Sequence, residues 1–277
     1  MPDSLPVIGL IAGGRQLPML VASGVKEAGH RLVVAGFTGH TNMDVEQYAD
    51  AFQELKLGKL NKLMKFFKKE GVQRVIMAGT INKPKIMDVG LLDMRAAKLI
   101  FKLRGKGDNA ILTAITDEFE AEGMAVMGAH QFLPQLLTPE GVLTRRQPTK
   151  REWEDLRYGY EAARDLGKLD IGQCIVLREQ IVAAVEGLEG TDACIKRGFE
   201  LGGEECVVVK VFKPGQEERV DLPSFGIDTL RVMAEGKATC IGVEAEKSLF
   251  FDSEETIRFA DKHKISIVGI NDSILKK

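Results

Sequence analysis

The sequence is poor in the residues that mark several classes of protein. Its four cysteines are far apart, lie among apolar residues and form no CxxC pair, so we expect reduced, buried thiols in a cytoplasmic protein and no disulfide framework. The four histidines are dispersed, and no zinc cluster is visible. The chain lacks an apolar run long enough to span a bilayer. Its N-terminus, MPDSLPVIGLIAGG, lacks the basic start of a signal peptide.

A strong excess of one charge is also missing, because the net charge is −2 over 277 residues. This gives no general case for nucleic-acid binding. One region differs: residues 56–106 hold 14 Lys and Arg against 3 Asp and Glu, a balance of 14 − 3 = +11. Within it, LGKLNKLMKFFKKEG predicts a basic amphipathic helix. That helix either covers a sheet with a solvated lysine face or is attracted to an anionic membrane or substrate.

Apolar runs and helical patterns alternate along the first half of the chain. PVIGLIAG, RLVVAGF, VQRVIMAGT and MAVMGAHQF read as strands separated by helices, which predicts parallel βαβ units in a doubly wound sheet. In the second half QCIVL and IVAAVE predict a hairpin, and further strands and helices follow, with Thr191 or Asp192 and Ser253 as expected N-caps. We therefore expect an α/β fold with a domain at 1–133, a linker at 134–150 and a second α/β domain with a mixed sheet at 151–277.

The stretch GLIAGGRQLP follows the first strand and opens a helix, where α/β sheets bind phosphates. The GxGxxG motif fails because Ile11 stands where glycine is required. The P-loop motif fails because Arg15 and Gln16 replace Lys and Ser or Thr. Two interpretations stay open: a nucleotide diphosphate on a nonstandard glycine turn with Arg15 as an added charge, or a tight turn without a ligand.

Two further polar stretches follow predicted strands or precede helices. AGTINKP ends a strand, so Asn82 and Lys83 either reach the same ligand as Arg15 or form a turn before Pro84. In GKGDN, Asp108 is either the N-cap of the next helix or a contact to a metal or ligand.

In the second half, capping explains Thr191 and Asp192 in GLEGTDAC, but it does not explain Gln173 in LDIGQCIV. The stretch KPGQEERVDLPSFG carries basic groups that suit phosphate oxygens and one acid, Asp221, that could hold Mg²⁺. The alternative is an ordinary solvated loop.

Seven motifs then occur together in one order: IAGGRQLP, AGTINKP, RGKGDN, DIGQCIV, VEGLEGTDA, VKVFKPGQEERVDLPSFG and IGVEA. In this set the chain resembles the UDP-2,3-diacylglucosamine pyrophosphatases of the LpxI type, from Ile8 to Gly269. The resemblance implies hydrolysis of UDP-2,3-diacylglucosamine to 2,3-diacylglucosamine 1-phosphate (lipid X) and UMP in lipid A biosynthesis.

The resemblance also implies Mg²⁺ or another divalent cation, a Rossmann-like N-terminal domain on the nucleotide side, and substrate held between the two domains. It implies a homodimer that contacts the cytoplasmic face of the inner membrane, and no nucleic-acid partner. A non-catalytic nucleotide-sugar-binding protein that uses the same interdomain cleft is the alternative.

Carried onto this chain, the family motifs imply that Asp221 is the catalytic carboxylate and the metal ligand. The implied substrate-binding residues are Gly13, Gly14, Arg15, Gln16, Asn82, Lys83, Asp108, Gln173, Thr191, Asp192, Lys213, Gln216, Arg219 and Ser224. Two positions depart from the family pattern: DLPSFG stands where DLPTIG is common, and Asn109 stands where a second acid is frequent. The acyl chains are expected in a hydrophobic tunnel or groove of the second domain, partly lined by residues near Phe212, Phe225 and Phe250.

Overall fold

The structure is a computed structural model that describes residues 5–81, 92–102 and 108–276, without the side chains of residues 108 and 109. The chain divides into two compact units. The first comprises Met1–Pro134 together with Glu217–Asp221, and the second comprises Gln135–Gln216 and Leu222–Lys277. The short segment Glu217–Asp221 therefore packs with the first unit although the sequence around it belongs to the second.

The first unit is built on a parallel five-stranded sheet of order β3-β2-β1-β4-β5. Its strands are β1 (Ile8–Ala12), β2 (Leu32–Phe37), β3 (Ala51–Leu55), β4 (Arg74–Ala78) and β5 (Ala125–Val126). This order is that of a doubly wound, Rossmann-like sheet, as the sequence predicts. The strand β3, with the sequence AFQEL, was not predicted, because it is a half-buried edge strand with polar residues in place of a continuous apolar run.

Helices cover this sheet and bury its apolar side chains. They are α1 (Leu17–Glu27), α2 (Leu60–Lys69), α3 (Met94–Lys102) and α4 (Asp108–Ala121). The predicted basic helix is α2, whose Leu63, Met64 and Phe67 are buried in the core of the unit while its lysines face solvent. Burial of a side chain such as Phe67 stabilises the fold by about 1.5–3 kcal/mol, so α2 does act as a sheet-covering helix.

The second unit contains a mixed six-stranded sheet of order β6-β13-β11-β9-β7-β8. Its strands are β6 (Gly141–Val142), β7 (Cys174–Arg178), β8 (Ile181–Val185), β9 (Val207–Lys210), β11 (Cys240–Glu244) and β13 (Ser266–Ile270). The strands β9, β11 and β13 are parallel, and β7 and β8 form the predicted antiparallel hairpin. The region 134–150, expected to be a linker, supplies β6, which pairs with β13.

Two layers of helices enclose this second sheet. The helices are α5 (Lys150–Lys168), α6 (Thr191–Gly202), α7 (Ile227–Glu235), α8 (Ser253–Lys262) and α9 (Asp272–Leu275). One apolar core lies under α6, α7 and α8, and another lies under α5. All four cysteines are buried and unbridged, as predicted. A short parallel pair, β10 (Ser224–Phe225) and β12 (Leu249–Phe250), completes the unit.

Two predicted helix caps are wrong. Gly190 and Asp252 precede α6 and α8 at positive φ, so Thr191 and Ser253 are the first helical residues and not caps. Phe225 and Phe250, near which an apolar tunnel or groove is expected, are buried and stack at 4.3 Å between ring centroids. No helix in the described part of the chain combines the length and apolar character needed to cross a bilayer.

Candidate functional site

The glycine turn lies at the carboxyl edge of the first sheet, where β1 and β4 end side by side. This is the point at which the strand order reverses, and open α/β sheets bind ligands there. The Gly13 N–H donates to the Ala78 carbonyl at 2.7 Å, and Gly14 and Thr80 exchange two backbone hydrogen bonds. The two predicted loops, IAGGRQLP and AGTINKP, are therefore joined at one place.

Close backbone approach explains the glycines of this turn. A Cβ on Gly13 would lie 2.8 Å from the carbonyl carbon of Gly79, and one on Gly79 would lie 2.4 Å from the Gly14 carbonyl oxygen. Arg15 follows at φ 66°, and both Arg15 and Gln16 are exposed ahead of α1. The turn thus presents a basic side chain beside a helix N-terminus, an arrangement suited to an anion. The predicted residues Asn82 and Lys83 and the side chain of Asp108 lie outside the described part of the structure.

In the second unit, three separate motifs meet around Gln173. Cys174 pairs with Lys210 where β7 and β9 adjoin, and the Val211 N–H donates to the Gln173 carbonyl at 2.9 Å. The Glu186 N–H donates to the Cys174 carbonyl at 2.8 Å. The DIGQCIV, VEGLEGTDA and VKVFKPG stretches are thus neighbours in space, as expected if they serve one site.

A buried carboxylate, Glu186, organises this cluster. It accepts hydrogen bonds from the Gln173 N–H at 3.3 Å and from the Thr191 hydroxyl at 2.9 Å. The Thr191 hydroxyl at the start of α6 is thereby bonded to Glu186. Asp192 is exposed in the first turn of the helix. The side-chain oxygen of Gln173 is buried, and no group in the described residues donates to it.

The loop that follows β9 is held by ion pairs and polar contacts within the second unit. Lys213 donates to Asp170 at 2.6 Å, and its N–H donates to the side-chain oxygen of buried Gln216 at 3.3 Å. Buried Lys210 donates to the carbonyl of Ser224 at 2.7 Å. Lys213, Gln216 and Ser224 therefore all lie beside the carboxyl end of β9.

Sequence reasoning did not single out Lys210 and Glu244, which complete this cluster. Glu244 ends β11, accepts a hydrogen bond from the Phe212 N–H at 2.8 Å and contacts the Tyr160 hydroxyl at 3.4 Å. Burial raises the pKa of Glu244 above its ordinary value. The sequence does contain a signal for both residues: Lys210 ends the apolar strand VVVK, and Glu244 ends the apolar strand CIGVE.

The segment Glu217–Asp221 packs at the carboxyl edge of the first sheet. The side chain of Val220 joins the core of the first unit, and Arg219 donates to the carbonyl of Val126, the last residue of β5. Arg219 also pairs with Glu120 at 2.6 Å and with both carboxylate oxygens of Glu217. These bonds hold the pKa of Glu217 below its ordinary value. Arg219 is thus a charge already shared between two acids.

Asp221 is exposed at the end of this segment, and its N–H donates to the Glu217 carbonyl at 3.1 Å. No group of three or more His, Cys, Asp or Glu side chains suited to a metal occurs among the described residues. A single exposed carboxylate fits Mg²⁺ when a bound diphosphate supplies other oxygen ligands. Asp221 therefore has the chemistry for that role, and Arg219 and Glu217 brace the backbone that carries it.

Similarity to one protein family extends over most of the chain. The family model described as LpxI N-terminal domain matches residues 7–136, and that described as LpxI C-terminal domain matches residues 139–268. A curated relative, the UDP-2,3-diacylglucosamine pyrophosphatase LpxI of Caulobacter vibrioides, is 35% identical over 276 residues, which covers 95% of this chain and 97% of the relative.

Solved structures give only distant likenesses. Phosphoribosylglycinamide synthetase from Anaerococcus prevotii aligns over 74% of this chain and 45% of its own, at 9% identity and a TM-score of 0.28. N5-carboxyaminoimidazole ribonucleotide synthetase from Thermotoga maritima aligns over 67% and 42%, at 15% identity and a TM-score of 0.26. The chain thus spans less than half the length of these structures, and TM-scores at this level establish neither a shared fold nor a shared function.

Proposed function

The chain belongs to the LpxI family, and we propose that it is a hydrolase that cleaves the pyrophosphate of UDP-2,3-diacylglucosamine in lipid A synthesis. The observation that carries the proposal is the match of both family models over 7–136 and 139–268. The named relative supports it, because the similarity extends over 97% of that protein and leaves no large part of it without a counterpart.

The products we propose are UMP and 2,3-diacylglucosamine 1-phosphate. Water adds its oxygen to one phosphorus, the bridging P–O bond breaks, and the two water protons are released to the product phosphates or to solvent. The repulsion between water and a doubly charged diphosphate makes this reaction slow without catalysis, so the protein must offset negative charge and position the water.

On the nucleotide side we assign the turn at Gly13, Gly14 and Arg15. It lies at the reversal of strand order, where open α/β sheets bind ligands, and its glycines let the loops after β1 and β4 pack against each other there. The exposed Arg15 guanidinium supplies a positive charge for a phosphate. This assignment does not need the dinucleotide or P-loop motifs, both of which the sequence lacks.

On the sugar-phosphate side we assign the cluster of Gln173, Thr191, Lys213 and Gln216. The buried Gln173 side-chain oxygen would accept a hydrogen bond from a hydroxyl or amide N–H of the acylated sugar. Lys213 would exchange its contact with Asp170 for a phosphate oxygen. Glu186 holds Gln173 and Thr191 in place and thus acts as a positioning residue.

Asp221 is the proposed catalytic carboxylate. It would accept a hydrogen bond from the attacking water and orient its lone pair toward phosphorus. When bound, Mg²⁺ or another divalent cation would be held by Asp221 together with diphosphate oxygens, and it would neutralise charge on the diphosphate. The pairing of Arg219 with Glu217 and Glu120 fixes the segment that presents Asp221.

The direct test is incubation of the purified chain with UDP-2,3-diacylglucosamine, with and without Mg²⁺ and EDTA, followed by mass spectrometry of the products. We expect UMP and lipid X, lost on chelation and restored by Mg²⁺. In ¹⁸O-labelled water, the product that carries the label identifies the attacked phosphorus. Tight binding of UDP-2,3-diacylglucosamine without release of UMP would instead favour a non-catalytic nucleotide-sugar-binding protein.

Two further properties remain part of the proposal. We propose a homodimer, which light scattering coupled to size exclusion would test, and contact with the inner membrane on its cytoplasmic face, where the acylated substrate resides. A comparison with unacylated UDP-N-acetylglucosamine tests the acyl requirement, since equal rates on both substrates would contradict the assignment to a lipid substrate.

A further inference from the structure

The helix α3 carries apolar side chains on two faces. Its inner face, with Ala96 and Leu99, is buried in the first unit. Its outer face presents Met94 and Phe101, whose side chains are 82% and 80% exposed. Met94, Ala97 and Phe101 follow one another at helical spacing (i, i+3, i+7), so they form one outward stripe. A large exposed aromatic residue on a basic helix is unfavourable in water and suits the interfacial layer of a bilayer.

All charged residues of the helices α2 and α3 are basic. Their segments LNKLMKFFKK and MRAAKLIFK contain no Asp or Glu. Arg95 is paired with Glu118 and Glu122, and Lys68 is paired with Glu122. Within the described residues, no acidic partner is found for the other lysines of these two helices, which are Lys62, Lys65, Lys69, Lys98 and Lys102 and are all exposed.

The two helices are joined to each other by hydrogen bonds and ion pairs at two points. Asp93 accepts hydrogen bonds from the Asn61 N–H at 2.7 Å and from the Ala96 N–H at 3.0 Å, and its own N–H donates to the Gly58 carbonyl at 3.0 Å. The shared partner Glu122 joins Lys68 and Arg95 at another point. The apolar stripe and the exposed lysines thus lie on two helices that are bonded to each other.

We propose that this surface, formed by the outward side chains of α2 and α3, docks the protein on an anionic lipid bilayer. Phe101 and Met94 enter the headgroup boundary, and the lysines lie against lipid phosphates. The choice of a lipid surface over another acidic partner rests on the proposed function, because an acylated substrate is held in a bilayer. Charge complementarity by itself indicates only that the partner is negatively charged.

Vesicle flotation tests the proposal. Full-length protein is mixed with vesicles of phosphatidylcholine alone or with added phosphatidylglycerol, at low and high salt. We expect binding only to the anionic vesicles, weakened by salt. The double substitution Met94→Ser with Phe101→Ser, and separately Lys62→Gln with Lys65→Gln and Lys69→Gln, should each lower the vesicle partition coefficient at least about tenfold. The melting temperatures should stay near that of the wild type, because these side chains are exposed.

Matched controls come from the second unit, which has exposed leucines and lysines of its own. Leu188→Ser with Leu201→Ser, and Lys262→Gln with Lys264→Gln, should leave vesicle binding unchanged. The proposal is overturned if the Met94 and Phe101 variant binds vesicles as well as the wild type does. It is also overturned if the control variants lose as much vesicle binding as the variants of α2 and α3. A shift of the Met94 and Phe101 variant from dimer to monomer with vesicle binding intact overturns it too, since the stripe is then an interface between copies.

Activity measurements separate this proposal from the proposed function. The Met94 and Phe101 variant should hydrolyse detergent-dispersed UDP-2,3-diacylglucosamine at the wild-type rate but lose at least about tenfold on substrate embedded in anionic vesicles. Wild-type hydrolysis in detergent without any vesicle binding refutes the docking surface and leaves the enzyme assignment in place. Vesicle binding without hydrolysis in either medium supports the docking surface and refutes the enzyme assignment.

Discussion

The backbones of Gly14 and Thr80 are bonded to each other in both directions. The Gly14 N–H donates to the Thr80 carbonyl at 2.8 Å, and the Thr80 N–H donates to the Gly14 carbonyl at 3.2 Å. This pair links the loop after β1 to the loop after β4 at the reversal of strand order. A ligand at this edge of the sheet would meet a surface made by both loops, so their spacing fixes the shape of the nucleotide side.

The first prediction concerns Gly13, which leaves no room for a methyl group. Gly13→Ala would place a Cβ 2.8 Å from the backbone of Gly79, so one of the two loops must move. We expect a loss of about 1–3 kcal/mol in the free energy of unfolding and weaker binding of UMP, measured by denaturant titration and calorimetry. Gly187→Ala is the control, since its Cβ would meet only the flexible end of Glu189. Unchanged stability and UMP affinity in Gly13→Ala would argue against this turn as a nucleotide site.

The second prediction concerns the buried Gln173 side-chain oxygen. Gln173→Leu removes an acceptor for which the described residues offer no donor, so the fold should lose no internal hydrogen bond from it. We expect the KM for UDP-2,3-diacylglucosamine to rise by up to about tenfold, the value of one hydrogen bond, with a small change in kcat. The exposed Gln135→Leu serves as the control. An unchanged KM with an intact fold would remove Gln173 from the substrate site.

Local sequence patterns predicted most of the fold, because most strands of each unit are distinct apolar runs in the sequence. The first sheet and the β7–β8 hairpin follow from apolar runs separated by helices and turns. The edge strand Ala51–Leu55 escaped because it is only half buried. The caps at Thr191 and Ser253 were wrong because Gly190 and Asp252 take positive φ and leave those hydroxyls inside the helices. Propensity rules cannot anticipate such a choice.

The candidate site was predicted less completely, and the reason is also physical. The sequence indicated Gln173 and Lys213 because each is a polar residue next to an apolar strand, and it indicated Thr191 because that residue opens a helix after two glycines. It did not reveal that the segment Glu217–Asp221 packs with the first unit, since that depends on Val220 joining a core distant in sequence. Nor did it identify Glu186 as the buried anchor of Gln173 and Thr191, because a sequence does not show which of several acids is buried.

A third prediction concerns stability against pH through Glu152, whose side chain is fully buried. Burial alone would raise the pKa of this carboxyl, but hydrogen bonds from Arg146, Thr239 and the Thr149 N–H bring it below its ordinary value. A lowered pKa in the folded state adds stability above the pKa of the unfolded chain, about 4.3. That contribution is lost as the pH falls through the folded pKa. The melting temperature should therefore fall as the pH is lowered from about 5 to about 3.

The matched substitutions for this effect lie on the same helix. Glu152→Gln should cost about 1–3 kcal/mol in the free energy of unfolding at neutral pH, because Arg146 loses its charged partner. It should also make the melting temperature fall less steeply as the pH is lowered from about 5 to about 3. Glu161→Gln, at an exposed position, should change neither. If the melting temperature of Glu152→Gln falls as steeply with pH as that of the wild type, other carboxyls cause the loss of stability in acid.

We propose Asp221 as the catalytic carboxylate of pyrophosphate hydrolysis. The most direct measurement compares turnover and binding of UDP-2,3-diacylglucosamine for wild type, Asp221→Asn and the exposed control Asp228→Asn, in the presence of Mg²⁺. We predict that Asp221→Asn lowers kcat by about 10²- to 10⁴-fold while the substrate still binds and the fold is intact, and that Asp228→Asn matches the wild type. Turnover by Asp221→Asn within a few-fold of the wild-type rate would show that Asp221 is not the catalytic carboxylate.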